Sequence, residues 1–172
     1  MMRRNPPGWM GHLDPSKKYS VSKVRIDAVL DTTPKLTEHF KPVGLWYACG
    51  LEWIEWLESD MPHWLDEVTH LYEVAPQYSS TNLSNFRWGV RAGGVLRLQS
   101  QEEVEMFNSL FGSHSSSRVG WPEVASIWDG IEICPYQYEL RYELDWYCTW
   151  DVASGCIWRP TGATSLRLVT KL

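Results

Sequence analysis

The segment Lys41-Pro42-Val43-Gly44-Leu45-Trp46-Tyr47-Ala48, followed by Gly50-Leu51-Glu52-Trp53-Ile54-Glu55-Trp56-Leu57, constrains this chain more than any other stretch. Pro42 has no backbone donor and Gly44 no side chain, so a strand begins only around them. The segment reads as an apolar strand over 44–48, a turn at Gly50, and a short helix over 51–58 stopped by Met61-Pro62. Trp46, Tyr47, Trp53 and Trp56 place four large aromatic surfaces on this one unit. Such a cluster either fills a core or lines a cleft where a flat ligand stacks. Both readings stay open on the sequence alone.

Composition narrows the classes. A chain of 172 residues with 44% hydrophobic content is long enough and apolar enough for one domain with a real core. Eleven tryptophans make aromatic packing or aromatic ligand contact prominent. A net charge of -5 and a pI of about 5.5, with no basic patch, argue against non-specific duplex binding. Stacking of a nucleotide or single strand on Trp or Tyr needs few charges and stays open. No apolar run approaches a membrane span. Met1–Gly8 has two arginines but no apolar stretch after them, so no signal peptide is expected there. Cys49, Cys134, Cys148 and Cys156 are widely spaced among apolar neighbours, which reads as reduced thiols in a cytoplasmic protein. The five histidines share no ligand spacing with one another or with the cysteines, so no metal site is expected.

Along the chain, residues 1–17 read as a poorly ordered lead-in and 18–172 as a single domain. Period-2 alternation or short apolar runs predict strands within 18–29 and over 68–74, 86–90, 95–98, 131–134, 144–152, 155–158 and 166–170. Ser100-Gln101-Glu102-Glu103 is a capping box that opens a helix carrying Val104, Phe107 and Phe111 on one face. Trp121-Pro122-Glu123 opens another, with Pro122 where its missing N–H is harmless. Strands outnumber short helices without regular βαβ alternation, which predicts an α+β fold with helices packed outside curved, mostly antiparallel sheets.

Familiar catalytic motifs are absent: there is no G-x-S-x-G, H-E-x-x-H, P-loop or dinucleotide G-x-G-x-x-G. Two carboxylates draw notice instead. Glu132 alternates with Ile131 and Ile133, so if the isoleucines enter the core it faces the opposite side, toward solvent or a cleft. Asp151 follows the aromatic run Trp146 to Trp150 and stands beside the turn at Ser154-Gly155, which could hold it structurally.

Taken in order, four features resemble an ADP-ribosyltransferase-type domain across roughly residues 18–158. They are the short polar motif Lys18-Tyr19-Ser20, the strand Gly44-Leu45-Trp46-Tyr47-Ala48 with its following helix, the strand–helix pair 95–98 and 100–111, and the turn Trp128-Asp129-Gly130-Ile131. The chain also resembles a group of small phage or bacterial proteins of unassigned function that share a K-P-x-G-L-W element and a W-D-x-x-S-G ending, here Trp150 to Gly155. The resemblance implies split, mostly antiparallel sheets with a nicotinamide cleft between them and NAD as substrate. Tyr19 and Ser20 would stand beside the ribose. Gly44, Leu45, Trp46, Tyr47 and Trp53 would line the nicotinamide pocket. A late-strand carboxylate, Glu132 first and Asp151 second, would stabilise the positive charge that builds on ribose as its glycosidic bond breaks. The acceptor would be a protein or a nucleic acid. Lys18 stands where that family has His or Arg. This keeps a second reading in view, a non-catalytic module that captures a nucleotide or a carbohydrate by aromatic stacking. A third reading is a protein whose tryptophans only pack.

Overall fold

Seven strands join in one open sheet in the computed structural model, which describes residues 10–113, 117–161 and 163–171. In chain order the elements are β1 (Lys18–Ser22), β2 (Glu38–His39), β3 (Leu45–Cys49), α1 (Glu52–Ser59), α2 (Pro62–Leu65), β4 (His70–Ala75), β5 (Val95–Leu98), α3 (Gln101–Phe111), β6 (Val119–Gly120), α4 (Trp121–Ile127), β7 (Gly130–Ile133), β8 (Ser154–Ile157) and β9 (Ser165–Lys171). The sheet runs β5-β7-β8-β3-β1-β4-β9, antiparallel except for the parallel pair β5 and β7. The fold is therefore α+β with a mostly antiparallel sheet. The resemblance implied two sheets flanking a cleft, whereas β8 pairs with both β7 and β3 and makes one continuous sheet. The separate β2·β6 ladder is only two residues long.

One face of the sheet carries the main core. Ile131, Ile133, Leu96, Leu98 and Cys156 point into it and meet α3 and α4 through Val104, Phe107, Phe111, Trp121 and Val124. Ser100 caps α3 by accepting from the Glu103 backbone N–H, as the capping box predicts, and the Glu103 carboxylate reaches back one residue further, to Gln99 N. Trp121, Trp128, Trp146, Trp150 and Trp158 are all enclosed in this core. Four of their indole N–H groups find acceptors: Trp121 to His39 O, Trp128 to Thr81 O, Trp146 to Asn108 Oδ1 and Trp158 to Trp128 O. Five tryptophans thus serve packing, while Trp64 and Trp88 are exposed. A smaller cluster of Tyr19, Ile54 and Leu71 seats α1.

Two predicted strands are absent. Residues 144–152 coil through a short 3-10 turn at Tyr147–Thr149, because Trp146, Tyr147 and Trp150 all enter the same core. In a strand Trp146 and Tyr147 would face opposite sides. Residues 86–90 form turns, with Phe86 and Trp88 both packed on Phe111. Of the expected lead-in, residues 1–9 lie outside the described residues. Residues 10–17 hold a 3-10 turn, pack Leu13 against the α1 cluster, and bond Asp14 to the Tyr19 hydroxyl.

Candidate functional site

Glu132 is completely buried, on the sheet face opposite Ile131 and Ile133. Its enclosure follows from register. Arg97 pairs with Glu132 across β5 and β7, and Glu132 and Tyr47 both pair with Gly155, from opposite sides of β8. A Cβ on Gly155 would lie 2.5 Å from both Cζ and Oη of Tyr47, so the missing side chain lets the Tyr47 ring cross β8. The Tyr47 hydroxyl donates to Glu132 Oε2 at 2.9 Å. Tyr78, on the segment after β4, donates to the same oxygen at 2.8 Å. Lys18 Nζ makes a 3.0 Å ion pair with Oε2, and Arg97 Nε lies 3.5 Å from Oε1. The Arg97 guanidinium also stacks 4.4 Å above the Tyr78 ring. Oε1 has no hydrogen-bond partner among the described residues.

Two cysteines complete the cluster. Lys18 pairs with Cys49 across β1 and β3, and its ammonium donates to Cys49 Sγ at 3.3 Å. Cys134 follows β7 and shares the face of Glu132 two residues before it. Burial works against the Lys18 ammonium, but Glu132, Cys49 and Tyr78 outweigh it and raise its pKa. Burial and the Glu132 carboxylate push both Tyr47 and Tyr78 up, so both phenols stay protonated donors. Cys49 is pushed up, first by its hydrogen bond to Cys134 and then by burial. That same hydrogen bond, helped by Lys18, outweighs burial at Cys134 and lowers it to about 7. Cys134 is therefore the more readily ionised thiol of the pair.

Lys18, Cys49, Cys134, Leu51 and Glu52 line an open cleft of about 390 Å³, with Lys17 at its rim. Lys18 and Cys134 reach the cleft from a part-exposed position and Cys49 from a buried one, while Glu132 stays behind them.

The sequence-predicted residues divide. Glu132 and Tyr47 are in the cluster. Tyr19 is buried on the opposite face, its hydroxyl held by the Asp14 backbone, and Ser20 is buried in β1. Trp46 packs edge-on against Trp150, with ring centroids 4.9 Å apart, and turns away from Tyr47. Gly44 abuts β8, where a Cβ would strike the Ile157 carbonyl, and Leu45 joins the cluster of Tyr47, Val74, Val95 and Ile157. Trp53 is half-buried on α1. The expected aromatic pocket is thus not assembled: alternation along β3 sends Trp46 and Tyr47 to opposite faces. Asp151 is exposed and pairs with Lys41 at 3.8 Å, away from Glu132. Sequence reading passed over Cys49, Tyr78, Arg97 and Cys134. The available signal was the alternation Glu132-x-Cys134, which sets both on one face.

Asp129, three residues before Glu132, is also buried but serves as a brace. Its Oδ1 meets Arg91 at 2.5 Å and Arg159 at 3.1 Å, its Oδ2 accepts from Gly94 N at 2.7 Å, and its carbonyl accepts from Trp158 N and Arg159 N. These bonds tie the entrance of β5 and the exit of β8 to the start of β7.

Comparison with family models, curated proteins and solved structures returns no match. Among the described residues, no helix is long and apolar enough to cross a membrane.

Proposed function

We propose that the cleft beside Lys18 binds NAD and that the protein is an ADP-ribosyltransferase-like enzyme with Glu132 as its carboxylate. The observation that carries this reading is convergence: the first-strand residue Lys18, the second-strand aromatic Tyr47 and the late-strand Glu132 meet on one carboxylate oxygen next to an open cleft. The chemistry asks for such a group. As the bond between ribose C1′ and nicotinamide breaks, nicotinamide leaves with the electron pair and positive charge builds on ribose. A fixed carboxylate in a dry setting stabilises that charge strongly. Lys18 and Lys17 at the cleft are suited to the diphosphate. A diphosphate that draws the Lys18 ammonium outward frees Glu132 Oε2 toward ribose, while Tyr47 and Tyr78 hold the carboxylate in place. A nucleophile of a protein or nucleic-acid acceptor then adds at C1′.

The complete enclosure of Glu132 favours the second reading, a non-catalytic nucleotide-binding module in which the carboxylate only holds Lys18. Calorimetric titration with NAD, with nicotinamide release followed in the same sample, separates the two. Binding with release that is lost in folded Glu132→Gln supports the enzyme. Binding without release, with or without candidate acceptors, supports the module. Absence of binding removes NAD from this cleft.

A further inference from the structure

We propose that Cys49, Glu132 and Cys134 form a site for one thiophilic divalent cation, zinc being the ion that fits best, with a fourth coordination position open to the cleft. Two thiol sulfurs and a carboxylate oxygen of these residues all lie within 4.8 Å of one another. Ligands held ~2.0–2.3 Å from a tetrahedral ion lie roughly 3.5 Å apart, so small side-chain rotations close the set. All three sit on or next to paired strands, which fixes their backbones. Thiolates with one carboxylate suit zinc and other thiophilic ions and do not suit magnesium or calcium. The inference does not rest on the NAD reading, although a bound ion would occupy the Glu132 carboxylate that reading assigns to ribose.

Three further observations support a cation. Glu132 is fully buried, yet its Oε1 has no hydrogen-bond partner among the described residues and only a 3.5 Å ion pair with Arg97 Nε, leaving acceptor capacity in a dry place. Tyr47 and Tyr78 donate to the other oxygen, which is the outer support that orients a metal-ligating carboxylate. The pocket also already attracts a cation, because the Lys18 ammonium lies 3.0 Å from Glu132 Oε2 and 3.3 Å from Cys49 Sγ. An incoming metal replaces that ammonium, which has the cleft to swing into. The Cys49 proton, and that of any Cys134 still protonated, then leave to solvent, and no oxidant is required.

The strand geometry disfavours the other use of two close cysteines. Ala48 and Ile133 both pair with Ser154, on opposite sides of β8, and Cys49 and Cys134 each follow by one residue. Their Cα atoms are thus about two strand spacings apart, roughly 9–10 Å, beyond the ~7 Å limit for a disulfide without backbone movement. A bridging ion spans this gap.

The test begins with reduced, chelator-treated full-length protein titrated with Co²⁺ and then Zn²⁺. The expected result is a thiolate-to-cobalt charge-transfer band that saturates at one equivalent and is displaced by zinc. Cys49→Ser and Cys134→Ser should each weaken binding about a hundredfold, while Cys148→Ser, at an exposed position, leaves it unchanged. Lys18→Met should tighten binding by about tenfold, since no ammonium has to leave. A second measurement needs no variant: zinc should protect Cys49 and Cys134, but not Cys148, from alkylation as read by peptide mass spectrometry. Absence of the band at equivalence, failure of zinc to protect either thiol, or a band that depends on Cys148 overturns the proposal.

Discussion

Tyr47 crosses β8 to donate its hydroxyl to Glu132, 2.9 Å away, through the gap left by Gly155. Three adjacent strands therefore cooperate in one hydrogen bond, and the middle one contributes by having no side chain. Gly155→Ala should destabilise the fold by about 1–3 kcal/mol, the usual cost of overpacking. Tyr47→Phe alone should cost about 1 kcal/mol for the lost bond. Replacing Tyr47 by the smaller Leu in the Gly155→Ala background should recover part of the loss. Urea denaturation of the wild type, Gly155→Ala, Tyr47→Leu and their double variant checks this, and additive costs would show that the two residues do not compete for the same space.

Lys18 and Glu132 form an ion pair with one partner fully enclosed. Removing the cation leaves a buried carboxylate with Arg97 as its remaining cation beside the Tyr47 and Tyr78 hydroxyls, and Lys18→Met should cost about 3–5 kcal/mol. Glu132→Gln should cost less, because Lys18 borders the cleft and can rehydrate there. The double variant should be more stable than the sum of the single losses implies, by about 1–3 kcal/mol. Midpoints in guanidinium chloride read all three differences.

Asp129 braces the other end of β7. Asp129→Asn keeps an acceptor for Gly94 N but loses the charge that holds Arg91 and Arg159, with an expected cost of about 2 kcal/mol. Asp129→Ala also strands the Gly94 donor and should cost about 3 kcal/mol or more. Hydrogen exchange should show the change at Gly94, Trp158 and Arg159 first, since their amides bond to Asp129. Uniform loss of protection across the sheet would refute the local role.

Cys134 should be the fastest thiol to alkylate in the absence of metal. Its pKa is lowered to about 7, so its thiolate fraction rises as pH increases through neutrality and levels off above it. Cys148 is exposed but lacks this setting, and Cys156 is buried with its thiol pushed well up. Cys49→Ala removes the first cause of the lowering and should move the Cys134 rate profile to higher pH. Peptide-resolved alkylation rates between pH 6 and 9 measure it, and a profile unmoved by Cys49→Ala would show that Cys49 does not tune Cys134.

Much of the local structure was legible in the residues themselves. Val95 to Leu98, the capping box at Ser100, Pro122 in the first turn of α4, and the alternation that turns Glu132 away from Ile131 and Ile133 are decided by neighbours in the chain. Their signals are the period of apolar positions and side chains that bond backbone groups within one turn. The same signals misread 144–152, because an aromatic run reads as a strand until its side chains are seen to share one core.

The sequence by itself determined the α+β class and the face on which Glu132 lies, while it left open whether the aromatics fill a core or line a cleft. Only the tertiary structure decided what meets Glu132. Lys18, Tyr47, Cys49, Tyr78, Arg97 and Cys134 come together because β8, late in the chain, inserts between β3 and β7 and puts Gly155 between Tyr47 and Glu132. Strand order is set by long-range packing that no local pattern encodes, and a fully buried carboxylate is stable only once those distant donors and cations are in place.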